Sequence, residues 1–567
     1  MRHNSNTLIR MMVIALFSSL ILAAFPERHL FCAWPDSINQ VFEVMHGVVG
    51  VNGIPTEDGG IIIIGSQMLG QYVYRMQRID RNGDLLWQPD DNGIRVSAAD
   101  GNRFGCNSPR LLSDGQNGVY VFYILEDYIN VEDPNMDPEC SVYIQHIDHE
   151  GNRVWGDFGL AIDTSRGFYA ETIDIVRFGD DQLALFWKAH DGEARHTYGQ
   201  LLDGERNRLW DRDGRLVHND PVKECFADEQ NGFFLISGES WLGNRVATSQ
   251  YIDANGEPQW GEEGIEMPMM RVKSSIQLYD SNIMFCGIQN ARDMNYFLNI
   301  IDSEGNLQWE ESRQLTNVRD PDRFAYLTFF DSSRVYMRLS EKSSGRREVY
   351  GQMLDTEGNE LWNEDGIRLF PGYYSSSASQ PVISNNFIFS RSQVTDDSVG
   401  NRQFSESIQK VDDAGRILFG ERGLEPNPPF HNNYPGRLML DGSGGLIYPA
   451  FRSRTLCLWR IRPDGSFGAG PENAADPEQL VDEMKFQLIL YPNPTNSGVR
   501  IQMPDFYGSF QWQLFDMTGR LVLSSLSEPT INESNLNLEM DRFNTGVYLF
   551  RMTNRYGTQS KAIILIK

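Results

Sequence analysis

The segment IDRNGDLLW, residues 79–87, has the form apolar-Asp-x-x-Gly-x-x-x-Trp and recurs along most of the chain. Further copies follow at intervals of roughly 50 to 60 residues, as IDHEGNRVW (147–155), LDGERNRLW (202–210), IDANGEPQW (252–260), IDSEGNLQW (301–309) and LDTEGNELW (354–362). We take Glu205 to replace the glycine in the third copy. Phe419 replaces the tryptophan in VDDAGRILF (411–419), and IRPDGSFGA (461–469) is a decayed last copy. A repeat of this length indicates a series of similar supersecondary units.

One repeat is predicted to contain four β-strands. An apolar run at 61–64 is typical of a buried strand, and residues 72–79 form a second strand of alternating character. Asp80 to Gly83 then make a tight turn, because the Asp carboxylate accepts hydrogen bonds from the turn and Gly tolerates a positive φ. We expect a third strand to begin at 85–87 and a fourth to lie at 108–112. Four such strands are one blade of a β-propeller.

The predicted fold class is all-β, with a large β-propeller over residues 34–468. Eight blades are favoured, and seven is the alternative if the end units are degenerate. The last hairpin, at 441–461, lacks a third strand. At the other end of the chain, Trp34 is followed by VFEV (41–44), much as the repeat tryptophan Trp87 is followed by GIRV (93–96). We therefore expect the N-terminal strands to complete the last blade, which leaves no open sheet edge in the ring.

Most tryptophans of the chain stand at one position of the repeat, namely Trp34, Trp87, Trp155, Trp210, Trp260, Trp309 and Trp362. A ring of aromatic binding sites is one interpretation of this pattern. We favour a structural role, because a large ring at a fixed position of each blade packs one sheet on its neighbour.

Charge and hydropathy exclude several classes of partner. The chain of 567 residues has a formal net charge of −27, which argues against nucleic acid or an anionic membrane, because phosphates need Lys and Arg. Residues 1–24, with Arg2 and Arg10 beside an apolar stretch, are predicted to be a signal peptide. No later apolar stretch reaches about 18 residues, so we do not expect an integral membrane protein.

The six cysteines contain no CxxC pair, so neither a zinc site nor a thioredoxin motif is predicted. Export permits disulfides, and Cys106 with Cys140 and Cys32 with Cys457 are the pairs to consider. Unpaired strand cysteines that act as small hydrophobic residues are the alternative.

The composition changes near the C-terminus. Residues 469–485 are rich in Pro, Ala and acidic residues, lack the repeat, and are predicted to be a linker. Residues 486–567 alternate in polarity and contain the turn sequences NPTNSG, MTGR, NTG and NRYG. This pattern predicts a small antiparallel β-sandwich.

The same C-terminal segment contains a series of short motifs: Tyr491-Pro492-Asn493-Pro494, a turn with Asp516 and Gly519, a segment with Gly546 and Tyr548, and a last strand at 561–567. In this order and spacing it resembles the type IX secretion system (Por) C-terminal sorting domain, type A. An ordinary immunoglobulin-like module is the alternative. The resemblance implies passage through the periplasm and the outer-membrane translocon. It also implies the secretion machinery and a sortase-like peptidase as partners, and a protein that is secreted or held at the outer cell surface.

The repeat region resembles bacterial eight-bladed, quinoprotein-like β-propellers. The tryptophan motif of that family has the same Gly-to-Trp step and an Asp-to-Gly step one residue longer. The resemblance implies an eight-bladed architecture without the quinone cofactor site, since the chain has no adjacent cysteine pair and no assignable ligand set. The sialidase Asp-box differs in both steps, and the D-x-D-x-D-G calcium loop of other propellers is missing. We therefore expect no cofactor, and no metal ligand is assigned.

Candidate functional residues lie in loops that interrupt the repeat, because propellers bind ligands on loops around the channel. In the loop at 188–196, His190, Asp191, Glu193 and His196 are candidates for acid–base or metal chemistry, and a polar hairpin tip is the alternative. Trp241 is a candidate for stacking on a sugar ring. The acidic loop at 126–139 is a candidate calcium site, although the spacing of its carboxylates is irregular.

No catalytic motif such as G-x-S-x-G, HExxH or a P-loop occurs in the chain. We therefore expect a secreted or cell-surface binding scaffold with a carbohydrate or protein ligand rather than an enzyme. The alternative is a propeller enzyme that acts on polysaccharide as a glycosidase or lyase, and a surface-layer component is a third hypothesis. The first two differ at the channel, because an enzyme needs titratable side chains that converge there.

Overall fold

The computed structural model describes residues 34, 42–68, 72–88, 92–98, 103–104, 109–127, 139–164, 168–179, 181–190, 194–228, 231–238, 248–278, 280–289, 295–315, 321–343, 346–363, 366–371, 373–395, 404–425, 437–441, 445–452, 455–462, 465–467, 489–491, 498–502, 510–516, 521–524, 535–540, 542–543, 545–554, 557–565 and 567. The fold is all-β, and every regular element in these ranges is a strand. The predicted signal peptide and linker lie outside them. No helix of the described residues has the length and apolar character to cross a membrane.

The first half of the repeat region begins with a single strand, β1 (Phe42–His46). Sheet I then contains β2 (Val48–Pro55), β3 (Ile61–Met68), β4 (Tyr72–Ile79) and β5 (Ile94–Arg95). Sheet II contains β6 (Arg103–Phe104), β7 (Arg110–Ser113), β8 (Val119–Asp127), β9 (Glu139–Ile147) and β10 (Leu160–Asp163). Sheet III contains β11 (Phe168–Phe178), β12 (Gln182–His190), β13 (Arg195–Leu202) and β14 (Arg215–His218). Sheet IV contains β15 (Val222–Asp228), β16 (Gly232–Ser237), β17 (Thr248–Asp253) and β18 (Ile265–Glu266).

The second half continues the same antiparallel order. Sheet V contains β19 (Arg271–Gln277), β20 (Ile283–Ile288), β21 (Tyr296–Ile301) and β22 (Arg313–Gln314). Sheet VI contains β23 (Pro321–Phe329), β24 (Arg334–Ser343), β25 (Arg346–Asp355) and β26 (Ile367–Arg368). Sheet VII contains β27 (Tyr374–Ala378), β28 (Val382–Ser384), β29 (Phe387–Thr395) and β30 (Phe404–Val411). Sheet VIII contains β31 (Met439–Leu440), β32 (Leu446–Arg452) and β33 (Thr455–Ile461), and β1 is its fourth strand.

The structure shifts the predicted limits of one repeat. The predicted strands at 61–64 and 72–79 are β3 and β4, the second and third strands of sheet I, and β2 precedes them. Residues 85–87 are not a strand, because Leu85 makes only a single bridge to Ile79. The predicted fourth strand at 108–112 falls on β7, which pairs with β8 of sheet II. The short outer strand β5 follows the repeat tryptophan, and its length explains why the sequence did not reveal it.

The first strands of the sheets surround a common centre. β2 contacts β7, β7 contacts β11, β11 contacts β15, β19 contacts β23, β23 contacts β28, β28 contacts β31, and β31 contacts β2. A hydrogen bond from the Ser275 N–H to Glu224 joins β19 to β15. Hydrophobic clusters lie between neighbouring sheets, as where Ile62 and Met76 of sheet I pack with Val121 of sheet II. This arrangement is a β-propeller with the first strands around the channel.

The two ends of the repeat region meet in sheet VIII. β1 pairs antiparallel with β33, with Phe42 opposite Leu458 and His46 opposite Thr455. Met45 of β1 is fully buried between sheets I and VIII. The N-terminal strand therefore completes the last sheet, as the position of Trp34 predicts, and covers the edge that β33 would otherwise expose.

The aspartate of the repeat holds its turn together. Asp80 Oδ1 accepts hydrogen bonds from the backbone N–H of Asn82 at 2.9 Å and of Asp84 at 2.8 Å, and Gly83 has a φ of 93°. The same two backbone bonds form at Asp148, Asp203, Asp253, Asp355 and Asp412. The Asp-x-x-Gly sequence is therefore a turn motif, as predicted.

The tryptophan of one repeat packs on the turn of the next. Trp87 Nε1 donates to the carbonyl oxygen of His149 at 3.1 Å, and a Cβ on Gly151 would come within 2.9 Å of the indole ring. Equivalent bonds join Trp34 to Arg81, Trp210 to Ala254, Trp260 to Ser303 and Trp362 to Asp413. These contacts confirm the structural interpretation for these five tryptophans, and Gly151 leaves the space that the Trp87 ring occupies.

In the third copy, Arg206 and not Glu205 takes the place of the glycine. The Arg206 N–H donates to the Asp203 carbonyl at 2.9 Å, as the Gly151 N–H donates to Asp148 at 3.0 Å. Arg206 also keeps the positive φ of the turn, at 72°. The prediction for Glu205 was wrong by one residue, because the turn is counted from the aspartate that organises it.

The C-terminal segment forms two further sheets. One contains β34 (Ile489–Tyr491), β35 (Gly498–Gln502) and β38 (Asn535–Glu539). The other contains β36 (Phe510–Asp516), β37 (Leu521–Ser524), β39 (Gly546–Asn554) and β40 (Gly557–Leu565). Val499 and Leu538 of the first sheet share one hydrophobic cluster with Trp512 and Phe550 of the second. The two sheets therefore bury a common core.

Candidate functional site

The predicted site at 188–196 is the tip of the β12–β13 hairpin. His190 is the last residue of β12 and pairs with Arg195, while Ala189 pairs with His196. Both histidines are half-buried, and His196 Nδ1 lies 2.9 Å from the carbonyl oxygen of Asn219. The other two candidates, Asp191 and Glu193, lie outside the described residues. The structure thus places the histidines on neighbouring strands, and their proposed chemistry stays a prediction.

A third histidine lies near this hairpin. His218 Nε2 is 2.8 Å from the carbonyl oxygen of Thr248. Burial lowers the pKa of His218, and the neighbouring His196 acts in the same direction. We therefore expect His218 to be neutral at physiological pH. Within the described residues, no group of His, Cys, Asp and Glu side chains is arranged to hold a metal ion.

Several other predicted sites lie outside the described residues. Trp241 and most of the acidic loop at 126–139 belong to this set, so sugar stacking and calcium binding stay predictions. Cys32 and Cys106 also lie outside it, and both proposed disulfides stay predictions. Cys225 and Cys286 are buried free thiols.

Three neighbouring first strands carry an irregularity that the first strands β2 and β27 also show. The pairing register shifts between Thr172 and Asp174 in β11, between Val222 and Glu224 in β15, and between Val272 and Ser274 in β19. Each shift leaves one residue unpaired, as in a β-bulge, and a bulge redirects the side chain that follows it. Asp174, Glu224 and Ser274 therefore occupy equivalent positions on adjacent sheets around the channel.

Asp174 is the most perturbed carboxylate of this group. Burial raises its pKa to about 6 from the ordinary 3.8, with the Glu224 charge adding to the increase. The charges of Arg110 and Arg437 and a hydrogen bond from the Ile175 N–H oppose this shift. Arg110 belongs to sheet II and Arg437 precedes β31 of sheet VIII, so side chains from separate blades act on one carboxylate.

Glu224 and Tyr326 extend the cluster around the ring. Glu224 Oε2 accepts a hydrogen bond from the Ser275 N–H at 2.7 Å and another from the Ser275 hydroxyl, and Oε1 lies 3.7 Å from Lys223 Nζ. Burial raises the pKa of Tyr326 on β23, and Arg437 is among the charges that oppose this shift. Arg437 therefore acts on Asp174 and Tyr326, which belong to different sheets.

These residues, Arg110, Asp174, Glu224, Tyr326 and Arg437, form a cluster that we name the channel-mouth cluster. Arg110 is the first residue of β7, Glu224 is the third residue of β15, and Arg437 lies two residues before β31. These three residues lie at or near the starts of their strands, whereas Asp174 and Tyr326 lie near the middle of β11 and β23. In an antiparallel sheet the end at which the first strands begin is also the end at which the second strands finish, so Arg110, Glu224 and Arg437 lie toward the side of the β12–β13 hairpin.

The channel-mouth cluster escaped sequence reasoning because its members come from separate repeats and share no motif. The strands themselves gave no clear signal, because β11 and β15 also contain other charged residues such as Glu171 and Lys223. Chemically, these residues supply carboxylate acceptors, guanidinium donors and a phenol on several first strands around the channel. Such a set can bind hydroxyl-rich ligands, and Asp174 can hold a proton near neutral pH.

The predicted sorting motifs are partly covered by the described residues. Tyr491 ends β34, and Asp516, the last residue of β36, pairs with Tyr548 of β39. Tyr548 is buried in the shared core, and Gly546 pairs with Leu565. Pro492, Asn493, Pro494 and Gly519 lie outside the described residues. Tyr491 and Asp516 therefore stand at the ends of their strands, and Gly546 stands at the start of β39.

Residues 489–567 match the family model of the secretion system C-terminal sorting domain. This segment is a type IX secretion system sorting domain. The sorting domain directs export to the cell surface or the extracellular space and implies an interaction with the secretion machinery. No curated protein sequence matches the chain.

Solved structures resemble the chain at low sequence identity. The β-propeller domain of the trilobed protease from Pyrococcus furiosus has 11% identity and a TM-score of 0.34, over 66% of this chain and 100% of that chain. A protein of unknown function from Dyadobacter fermentans has 8% identity and a TM-score of 0.34, over 65% and 95%. An acylaminoacyl peptidase from Pyrococcus horikoshii has 10% identity and a TM-score of 0.33, over 81% and 58%. Likenesses at this level add nothing on ligand or activity.

Proposed function

We propose that this protein is a secreted or cell-surface binding scaffold whose channel mouth takes a carbohydrate ligand. In this account sheets I to VIII are eight blades, a signal peptide at 1–24 starts the export, and the sorting domain, a β-sandwich, completes it. The propeller presents its ligand site outside the cell. The observation that carries the proposal is the channel-mouth cluster around Asp174.

The chemistry of the cluster suits a polysaccharide better than an apolar ligand. Sugar hydroxyls donate hydrogen bonds to carboxylates such as Asp174 and Glu224 and accept them from guanidinium groups such as Arg110 and Arg437. A channel mouth on which several blades converge is also a concave site with few precisely placed polar groups, as ligand sites usually are. A protein ligand is the other candidate, and the same experiment separates them.

The test is retention of the purified full chain on a panel of immobilised polysaccharides. We expect wild-type protein to be retained by at least one of them, and Asp174→Asn and Glu224→Gln to weaken retention about tenfold or more. Asp280→Asn is the matched control, because Asp280 is an exposed aspartate before β20, on the opposite side of the ring. Retention that the control weakens as much as the channel variants would contradict the assignment of the site. Absence of retention would favour a protein ligand.

A second candidate function is an enzyme that acts on polysaccharide, as a glycosidase or lyase. The raised pKa of Asp174 favours it, because a carboxyl group with a pKa of about 6 can act as a general acid near neutral pH. Reducing ends and unsaturated sugars measured in the same retention wells test this candidate. Product formation that Asp174→Asn abolishes would establish catalysis, and retention without product would leave a binding module.

A further inference from the structure

The third copy of the repeat turn differs from the others at one position. Arg206 holds a positive φ where the other copies have Gly83, Gly151, Gly256, Gly305, Gly358, Gly415 and Gly465. This backbone region is unfavourable for a residue with a Cβ, because the Cβ approaches the neighbouring carbonyl oxygen. Only the third copy has this backbone strain, at Arg206, which indicates that the arginine side chain has a role of its own.

The side chain of Arg206 lies beside an aromatic group. Its guanidinium is 5.9 Å from the centroid of the Trp155 ring. The Trp155 ring is in turn 5.6 Å from Tyr120 and 6.0 Å from His146, and all three rings are half-buried. The arginine is therefore held next to an aromatic surface that remains partly open to solvent.

Arg206 also lines a cleft of about 500 Å³ between β10 of sheet II and the turn of sheet III. The cleft is lined by Leu160, Arg206, Asn207, Arg208, Trp210 and Arg212, a set without any carboxylate. Arg208 Nη2 donates to the Ala161 carbonyl, while its Nε is buried and has no hydrogen-bond partner among the described residues. The Asp203 carboxylate is already engaged by the N–H groups of Glu205 and Asn207.

We propose that this arginine cleft binds the carboxylate or sulfate groups of an acidic polysaccharide. Guanidinium groups match the paired oxygens of these anions, and exposed Arg206 and Arg212 are placed to donate to them. A chain with a net charge of −27 repels such polymers elsewhere, so binding would be confined to the cleft.

The arginine cleft is separate from the channel mouth. It lies at the turns that follow the third strands, and these turns are on the side of the ring opposite to the start of the first strands. The protein therefore has room for two ligand sites that do not compete. Asp174→Asn is expected to leave binding at the cleft unchanged, so failure of one proposal is distinguishable from failure of the other.

The test measures binding of the full chain to polygalacturonate, which carries carboxylates, to heparin, which carries sulfates, and to neutral dextran. We expect at least one acidic polymer to bind, dextran not to bind, and Arg206→Gly and Arg212→Ser to weaken binding about tenfold or more. Arg206→Gly restores the glycine of the other copies, so the fold is preserved. Arg416→Asn is the matched control, since Arg416 is an exposed arginine four residues after the aspartate of its turn, where the third copy has Asn207.

Three outcomes overturn the proposal. One is absence of binding to both acidic polymers. A second is a failure of the variants to discriminate: either Arg206→Gly and Arg212→Ser bind with wild-type affinity, or Arg416→Asn loses as much affinity as they do. Either result would mean that the anion binds outside the cleft. The third is an affinity for inorganic sulfate equal to that for the polymers at the same anion concentration. The cleft would then be a simple anion site and not a polysaccharide site.

Discussion

At the residue scale, the repeat tryptophan explains why a short motif can organise a large ring. Trp87 is 1% exposed, donates to the turn of sheet II, and packs where Gly151 leaves space. Its neighbour Leu86 is 43% exposed. The motif therefore encodes a contact between blades, and two adjacent large residues in it have opposite roles.

The first prediction concerns these two neighbours. Trp87→Ala is expected to lower the free energy of unfolding by about 3–5 kcal/mol, because it leaves a cavity between sheets I and II. Leu86→Ala is the control and is expected to change it by no more than about 0.5 kcal/mol. Urea unfolding of both variants measures the difference. Equal effects would contradict the role assigned to the tryptophan.

The second prediction concerns Asp174 and pH. Since its pKa in the folded protein is raised from 3.8 to about 6, the folded state holds a proton between these pH values that the unfolded chain has lost. The stabilisation is complete below about pH 4 and is lost as pH rises through about 6. Asp174→Asn is expected to flatten this dependence by on the order of 1–3 kcal/mol. Thermal unfolding from pH 4 to pH 8 tests it, and an unchanged profile in the variant would contradict the raised pKa of Asp174.

At the scale of strands and turns, the sequence predicted the individual strands better than their assignment to sheets. The apolar runs and the Asp-x-x-Gly turns located β3, β4 and the hairpins that correspond to them. The outer strands such as β5 are too short for a periodic pattern, so the predicted limits of each sheet were displaced by one strand.

A buried amide side chain three residues before the aspartate of the repeat was also missed. Gln77 Oε1 accepts the N–H of Trp87 at 2.8 Å, a bond that amide side chains repeat around the ring.

The candidate site was less predictable for a physical reason. The channel-mouth cluster forms only when distant first strands meet, and the β-bulges that align Asp174 with Glu224 depend on pairing with the second strands. The predicted residues His190 and His196, in contrast, lie in one hairpin and were found because they are close in sequence. Local clustering is visible in a sequence, whereas convergence across blades is not.

The third prediction concerns ring closure by β1. Removal of residues 34–46 is expected to expose β33 as an edge strand, and its backbone N–H groups that bond β1 then exchange faster with solvent. Hydrogen exchange of residues 455–461 measures this effect. The N–H groups of β13 in sheet III are the internal control and are expected to keep their protection. Unchanged exchange in β33 would show that β1 does not seal the ring.

At the scale of the whole molecule, an acidic propeller is joined to a sorting domain that carries it out of the cell. The fourth prediction is that a chain without residues 489–567 accumulates in the periplasm, because the translocon no longer recognises it. Cell fractionation followed by immunoblotting measures this, and the same residues fused to a periplasmic reporter are expected to export it. A truncated chain that still reaches the surface would contradict the role of the domain.

The proposed function requires that ligand binds at the channel mouth. Hydrogen–deuterium exchange of the full chain, with and without the polysaccharide that gives the strongest retention, tests it most directly. We expect protection in the first strands of sheets II, III and IV, in residues 110–113, 171–176 and 222–226, and its loss in Asp174→Asn. Protection confined to other parts of the ring, or none at all, would contradict it.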